Sequence, residues 1–135
     1  MAGCIFCQIA AGSVKAEVVY DSPEAIAFLD RFPAARGHTM VVPKLHAATL
    51  LDLDDGAVGG LFLAVKTVLH KVNATLRPAA FHVGWNHGAA AGQHVFHLHV
   101  HILPRFGEGG RGIQLLGEGA DGADVAEIAA VIRKG

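Results

Sequence analysis

The chain has 135 residues, two cysteines, nine histidines and a formal net charge of −1. This length predicts one domain over residues 1–135 with a core that needs no disulfide framework, which would require cysteines spread along the chain. The near-neutral charge excludes a broad basic surface for nucleic acid and a polybasic segment for a membrane surface, so we expect neither partner.

The first third of the chain predicts a short helix and three strands. The segment "CIFCQIA", residues 4–10, predicts a helix or knuckle closed by Gly12. The segments "EVVY" and "AIAFLD", residues 17–20 and 25–30, predict a hairpin, because β-forming residues flank Asp-Ser-Pro. The segment "TMVVP", residues 39–43, predicts a third strand.

The middle of the chain predicts one long helix. Apolar residues recur at helical spacing from Val58 to Leu76, with Asp54 or Asp55 as the N-cap. All apolar runs are broken before they reach membrane-spanning length, and the first residues lack the basic and apolar regions of a signal peptide. These features favour a cytoplasmic location.

The last part of the chain predicts two strands and a terminal helix. The strands are "AFHVGWN" and "HVFHLHVHIL", residues 80–86 and 94–103, and the helix is "ADVAEIAAVIRK", residues 123–134. The glycine-rich residues 107–122 predict no element. Strands joined by hairpins are antiparallel, and two helices cover only one face of such a sheet. The predicted class is therefore α+β, with about five antiparallel strands, one main helix and a C-terminal helix.

Six of the nine histidines lie between His82 and His101, and His97, His99 and His101 alternate with apolar residues. In a strand, such residues share one face and neighbours on it are about 6.6 Å apart. The outer two would be about 13 Å apart, so the three reach one metal ion poorly. The spacing predicts separate roles, with exposed imidazoles on a solvated face as the alternative.

The stretch "GQHVFHLHVHILPR" resembles the His-x-His-x-His-x-x signature of the histidine triad (HIT) proteins, which are nucleotide hydrolases and transferases. The resemblance extends upstream through residues 5–46 and through "WNHGAAAGQ", residues 85–93. It implies a HIT-like fold and a homodimer joined through the main helix and the neighbouring strand. A sheet with an unprotected edge and face is compatible with such an assembly.

The resemblance implies that His99 is the nucleophile, which attacks the α-phosphorus of a purine nucleoside phosphate derivative. A neutral imidazole suits this role, because it titrates near physiological pH and its phosphoramidate can be hydrolysed. Its other ring nitrogen should donate to a fixed acceptor, which the sequence does not identify. His101 is implied to face the phosphate and bridging oxygens, where it stabilises charge or relays a proton.

A nucleoside pocket is also implied by the resemblance. Asp30 matches a residue that binds the ribose hydroxyls, and Phe6, Ile9 and Phe28 match an apolar slot for the base. From the residues alone, Asp30 could equally begin a turn, and the three apolar residues would be assigned to the core.

The glycine-rich loop and its flanks supply further candidates. Glycines and short alanines let backbone N–H groups approach a phosphate, and Gln93 is expected to contact it. Asn86 matches a polar position near the sugar and phosphate, with a turn-forming role as the alternative. His94 stands where the family commonly carries Ser, Thr or Glu, and strand parity directs it away from the triad. This departure leaves the leaving-group chemistry open.

Cys4 and Cys7 by themselves predict either a metal site or free buried thiols, and a redox pair is disfavoured without a βαβ context. In some HIT proteins such a pair binds zinc with a histidine of a "PKxH" segment and the first triad histidine. The resemblance therefore implies His46 and His97 as the other ligands of a structural Zn²⁺. Four protein ligands would close the zinc shell to catalytic water.

The favoured function is a nucleoside phosphoramidase or phosphohydrolase that acts through a nucleotidyl-histidine, with nucleoside phosphoramidates, aminoacyl adenylates or dinucleoside polyphosphates as substrates. The alternatives are a dinucleoside polyphosphate hydrolase or nucleotidyltransferase of the same family, and a nucleotide-binding or sensing protein with low turnover. A further alternative is an enzyme that uses the histidine strand around an open metal ion. No organic cofactor is expected.

Overall fold

The structure is a computed structural model that describes residues 3–107 and 124–135. Its helices and strands, in chain order, are α1 (Ile5–Ala10), β1 (Val18–Asp21), β2 (Ala25–Leu29), β3 (Thr39–Pro43), α2 (Asp55–Leu76), β4 (Ala80–Gly84), β5 (Val100–Arg105) and α3 (Val125–Arg133). Two 3-10 turns precede α2 and β5 at Leu50–Asp52 and Ala89–Ala91. Apart from Gly107, the segment expected to form no element lies outside the described residues.

The five strands form one antiparallel sheet in the order β1-β2-β3-β5-β4. This confirms the predicted α+β class with a main helix and a C-terminal helix. β5 is inserted between β3 and β4, so that His101 pairs with Met40 on one side and with Gly84 on the other. The end of the histidine motif therefore lies within the sheet rather than at its edge.

The predicted helix boundaries of α2 are confirmed by the structure. It begins at Asp55 and ends at Leu76, followed by Arg77 in a left-handed conformation with φ of 51°. Pro78 comes next and cannot continue a helix. The residues that α2 buries against the sheet recur at helical spacing: Leu61, Ala64, Val65, Val68 and Val72.

The two faces of the sheet are covered unequally. α2 and α3 pack on the face that carries Ala25, Ala27 and Leu29 of β2, which is the larger core. On the opposite face, α1 places Phe6 and Ile9 against the alternate residues of β2 and β3, which are Ile26, Phe28, Met40 and Val42. Both faces of these central strands are thus buried, and the small α1 side is where the histidine motif lies.

The fifth strand is shorter at its start than the sequence predicts, because it begins at Val100 rather than at residue 94. Before that point the backbone makes other bonds: the Leu98 N–H donates to the Ala47 carbonyl at 2.8 Å, and the carbonyl of Val95 accepts from Gln93. The ladder with β3 starts only where Val100 pairs with Val41. His94 and His97 lie before the strand, so the alternation of side chains between the two faces of a sheet does not predict their directions.

β4 forms one edge of the sheet and is less covered than the central strands. Its residues are exposed or half-buried, whereas all five residues of β2 and of β3 are buried. Among the described helices, none has the length and apolar character needed to cross a bilayer.

Candidate functional site

Four side chains from three distant segments converge beside α1. Cys4 and Cys7 flank the first turn of α1, His46 follows β3, and His97 precedes β5. Their ligand atoms all lie within 4.8 Å of one another. We call this set the four-ligand cluster. The four residues for which the resemblance implied a zinc site are therefore brought together by the fold.

The geometry of the four-ligand cluster fits a bound metal ion. His97 Nδ1 lies 3.4 Å from each cysteine Sγ and 3.2 Å from His46 Nδ1. In a tetrahedral zinc site the edges would be about 3.3 Å between nitrogens and about 3.6 Å between nitrogen and sulfur. One imidazole nitrogen cannot hydrogen-bond to three such neighbours at once, whereas a shared cation satisfies all of them.

The tautomer of His97 also suits a metal ligand. Its Nε2–H donates to the Pro43 carbonyl at 2.7 Å, so the lone pair is on Nδ1, which points into the four-ligand cluster. A backbone carbonyl in this place fixes the ring of a ligand histidine. The side chain is fully buried, and burial lowers its pKa, which favours the neutral form that binds a metal.

His99 has the hydrogen bond that a histidine nucleophile requires. Its Nδ1–H donates to the carbonyl of His97 at 2.8 Å, which leaves the lone pair on Nε2. Burial lowers the pKa of His99, and this outweighs the opposing effects of that bond and of Asp30. The ring of Phe6 packs against His99 edge-on, with centroids 5.0 Å apart. His99 is thus neutral near physiological pH and held in one tautomer.

His101 is oriented by His38, which lies between β2 and β3 and is not among the site residues that the sequence predicts. The Ala34 N–H donates to His38 Nδ1 at 3.1 Å, so His38 carries its proton on Nε2 and donates to His101 Nδ1 at 2.9 Å. The remaining proton of His101 must then be on Nε2. We call this chain of bonds the histidine relay. It makes His101 a hydrogen-bond donor on its Nε2 side.

Both relay histidines are kept neutral. Burial lowers the pKa of His101 to about 3, helped by the nearby His38 and His99. Burial also lowers the pKa of His38 to about 4, together with the charge of Arg105 and with His99. His101 therefore offers a neutral N–H rather than an imidazolium, which favours charge stabilisation over the transfer of a proton from a charged ring.

A glycine permits the backbone turn that places His38 in the relay. Gly37 has φ of 82°, and a Cβ at this position would lie 2.5 Å from the Leu76 side chain at the end of α2. Only glycine combines this conformation with such a close approach. His38 directly follows this glycine and precedes a buried strand. That combination is the sequence signal that could have identified it.

Asp30 lies next to the histidine relay. Its Oδ2 is 3.7 Å from His38 Nδ1, and its Oδ1 accepts from the Phe32 N–H at 2.9 Å. Asp30 therefore begins a turn, as its alternative interpretation predicted, and still presents a partly exposed carboxylate beside His38 and His101. The ribose contact stays a prediction.

The three residues assigned to the base slot share one cluster on the α1 side of the sheet. Phe6, Ile9 and Phe28 are all buried there, and the rings of Phe6 and Phe28 meet edge to face with centroids 5.4 Å apart. Phe6 joins this cluster to His99. The structure therefore shows these side chains as core beside His99, and the base slot stays a prediction.

The side chain of Gln93 braces the glycine-rich loop. Its Oε1 accepts from the Gly88 N–H at 2.8 Å, and its Nε2 donates to the carbonyls of Ala48 and Val95 at 2.7 and 3.0 Å. Both amide hydrogens are used within the protein. A phosphate contact by this side chain, as predicted, would require one of these bonds to be released.

The other two candidates of the loop differ in their surroundings. Asn86 donates from Nδ2 to the Gly92 carbonyl at 3.4 Å, so it supports the same loop as Gln93. His94 is exposed and lies in the irregular segment before β5. The reason for its place in the motif stays open.

Comparison with known proteins agrees with this geometry. A family model described as the HIT domain matches residues 11–108, which is most of the chain. The chain belongs to the HIT family. An uncharacterized HIT-like protein from Mycoplasma genitalium is 43% identical over 109 residues. These cover 81% of this chain and 77% of the Mycoplasma protein. An adenylylsulfatase from Arabidopsis thaliana is 33% identical over 102 residues, covering 76% of this chain and 52% of its own.

Solved structures of HIT proteins have the same fold. A HIT-like protein from Bartonella henselae superposes with a TM-score of 0.84 at 31% identity, covering 99% of this chain and 97% of that one. A zinc-bound histidine triad protein from Mycobacterium smegmatis superposes with a TM-score of 0.83 at 30% identity. The match covers 98% of this chain and 92% of the Mycobacterium chain. The chain therefore belongs to a family of nucleotide-binding hydrolases and transferases, and a structural relative of it binds zinc.

Proposed function

We propose that this HIT protein is a purine nucleoside phosphoramidase or phosphohydrolase that forms a covalent nucleotidyl-His99. The observation that carries the proposal is the 2.8 Å bond from His99 Nδ1–H to the His97 carbonyl, which leaves a neutral Nε2 as the nucleophile. The family relationship supports a nucleotide as the substrate.

The reaction has two halves. His99 Nε2 attacks the α-phosphorus and breaks its bond to the leaving group, which departs as a phosphate, or takes up a proton from solvent and departs as an amine; the water consumed in the second half returns that proton. His101 donates its Nε2–H to the oxygens on which charge develops, in the tautomer set by His38. Water then attacks the same phosphorus, releases a nucleoside monophosphate and regenerates the free imidazole. One water molecule is consumed in each turnover.

The binding residues surround this centre. Asp30 accepts from the ribose hydroxyls, and the cluster of Phe6, Ile9 and Phe28 holds a purine base beside His99. Asn86 and Gln93 support the loop whose backbone N–H groups approach the phosphate.

We assign a structural Zn²⁺ to Cys4, Cys7, His46 and His97. Two thiolates and two imidazoles match the donor set of closed zinc sites, in which no position is left for a reacting water. Such an ion supplies structure at this place rather than Lewis-acid chemistry. The alternative of an open metal among the three triad histidines is disfavoured, because His97 and His101 engage different partners.

A turnover screen tests the proposed reaction. Wild-type protein is expected to hydrolyse adenosine or guanosine phosphoramidates faster than dinucleoside polyphosphates, and to trap a labelled nucleotide. His99→Ala is expected to lose both turnover and label, whereas His70→Ala, an exposed histidine of α2, keeps both. Equal turnover by His99→Ala would refute the mechanism. Transfer of the label to phosphate in preference to water would identify the transferase alternative.

We further propose a homodimer joined through α2 and β4. Leu63 on α2 is 68% exposed and Val83 on the edge strand β4 is 37% exposed, although both are large and apolar. Pairing of two copies would cover these residues and the free edge of the sheet. Leu63→Glu with Val83→Glu is expected to give monomers in sedimentation velocity, and Leu51→Glu, on an exposed 3-10 turn, is the control. An unchanged sedimentation coefficient in the double variant would rule out this interface.

A further inference from the structure

His97 connects the four-ligand cluster to the proposed nucleophile. Its Nδ1 points into the cluster, its Nε2–H donates to the Pro43 carbonyl, and its own carbonyl accepts from His99 Nδ1–H. The side chain is fully buried. A displacement of His97 at the cluster therefore displaces the group that determines which nitrogen of His99 carries the proton.

Phe6 provides a second connection. It lies between Cys4 and Cys7 on α1, and its ring contacts His97 and His99 with centroid distances of 6.0 and 5.0 Å. α1 has only six residues, and a helix this short is not stable by itself. Its position depends on the packing of Phe6 and Ile9 and on the two cysteines. The cluster thus holds two of the groups that contact the ring of His99, the His97 carbonyl and the Phe6 ring, while the ring of His101 packs on it independently.

We propose that the four-ligand cluster positions the nucleophile: an ion held there fixes the His97 carbonyl and the Phe6 ring, and so sets the tautomer and plane of His99. This inference rests on the proposed nucleophile and on the proposed zinc site. It goes beyond a structural role, because stabilisation of the fold alone would leave the tautomer of His99 unchanged in any molecule that remains folded.

His46→Ala removes one ligand and leaves His97, His99 and Phe6 in the chain. Because the His46 ring also packs on His97, with centroids 4.9 Å apart, removal of zinc from the unaltered wild type is the companion test that separates the two roles. His70→Ala is the matched control on the far helix. The two-bond ¹H–¹⁵N spectrum of the imidazoles reports the tautomer of His99, which is assigned with the His99→Ala variant. Zinc content and near- and far-UV circular dichroism, which report tertiary and secondary structure, are measured on the same samples.

The zinc-loaded wild type and His70→Ala are expected to show a single Nδ1–H tautomer for His99. His46→Ala is expected to contain less zinc, to show exchange between the two His99 tautomers, and to have a kcat about tenfold to a hundredfold lower. Reversible removal of zinc from the wild type by a chelator, at low temperature, is expected to cause the same spectral change, and added Zn²⁺ to reverse it.

Two results would overturn the inference. One is a folded, zinc-free protein in which His99 keeps its tautomer and kcat is unchanged. The other is a protein that loses its His99 signal only together with all its tertiary structure, since the cluster would then act on the whole fold. The tautomer measurement needs no substrate. If zinc controls the tautomer but no nucleotide is turned over, the proposed function fails and the positioning role stands.

Discussion

At the scale of single residues, backbone groups determine where the protons of the site histidines are. The His97 carbonyl places the proton of His99 on Nδ1, and the Ala34 N–H places that of His38 on Nε2. Two neighbouring imidazoles are thereby given opposite functions, because His99 presents a lone pair and His101 presents a donor. A backbone group makes this assignment reliable, since its own donor or acceptor character does not change with pH.

The histidine relay leads to a testable expectation. His38→Phe keeps a buried ring but removes the donor to His101 Nδ1, so that His101 can carry its proton on either nitrogen. Loss of a hydrogen bond that supports catalysis, worth about 1–3 kcal/mol, corresponds to a kcat about fivefold to 150-fold lower. Steady-state kinetics with a phosphoramidate substrate measures this, and His70→Phe is the control. A wild-type kcat in folded His38→Phe would show that the relay is not used.

At the scale of elements, hydrogen bonds made by a side chain before β5 delay the start of that strand. Alternation of histidine and apolar residues predicts a strand from residue 94, yet the ladder begins at Val100. The Gln93 side chain binds the Gly88 N–H and the Val95 carbonyl, and the Leu98 N–H pairs outside the sheet with Ala47. The resulting bend lets His97 reach the four-ligand cluster while His101 stays in the sheet.

Gln93 is therefore expected to contribute strongly to stability. Gln93→Ala would leave the Gly88 N–H and the carbonyls of Ala48 and Val95 without this partner, at about 1–3 kcal/mol for each group that stays buried. We expect the free energy of unfolding, measured in urea, to fall by about 3 kcal/mol. Asn73→Ala, an exposed amide of α2, should change it little. Equal losses in the two variants would contradict the bracing role.

At the scale of the whole molecule, burial of neutral histidines makes stability depend on pH. The pKa of His101 is lowered by burial to about 3 and that of His38 to about 4, from 6.5 in an exposed residue. The unfolded chain therefore binds more protons than the folded chain once the pH falls below 6.5. The stability that these residues contribute is present above pH 6.5 and is lost progressively as the pH decreases toward their folded pKa values.

This loss can be measured by urea unfolding between pH 7 and pH 4.5. Each buried neutral histidine contributes a slope of at most about 1.4 kcal/mol per pH unit. His38→Phe removes one such group and relieves the effect of His38 on His101, so its free energy of unfolding should decrease less steeply than that of the wild type. Parallel curves for the two proteins would show that the relay histidines are not kept neutral by the fold.

The α+β class, the extent of α2 and the residue types of the site follow from the amino-acid sequence. These depend on hydrophobic spacing, on capping and proline signals, and on the motif around His97, all of which are local along the chain. The tertiary structure alone decided the hydrogen-bond partners. His38 meets His101, 63 residues away, because Met40 pairs with His101 across β3 and β5. The acceptor for His99 and the bend at Gln93 likewise depend on distant or irregular backbone, whose geometry no local pattern specifies.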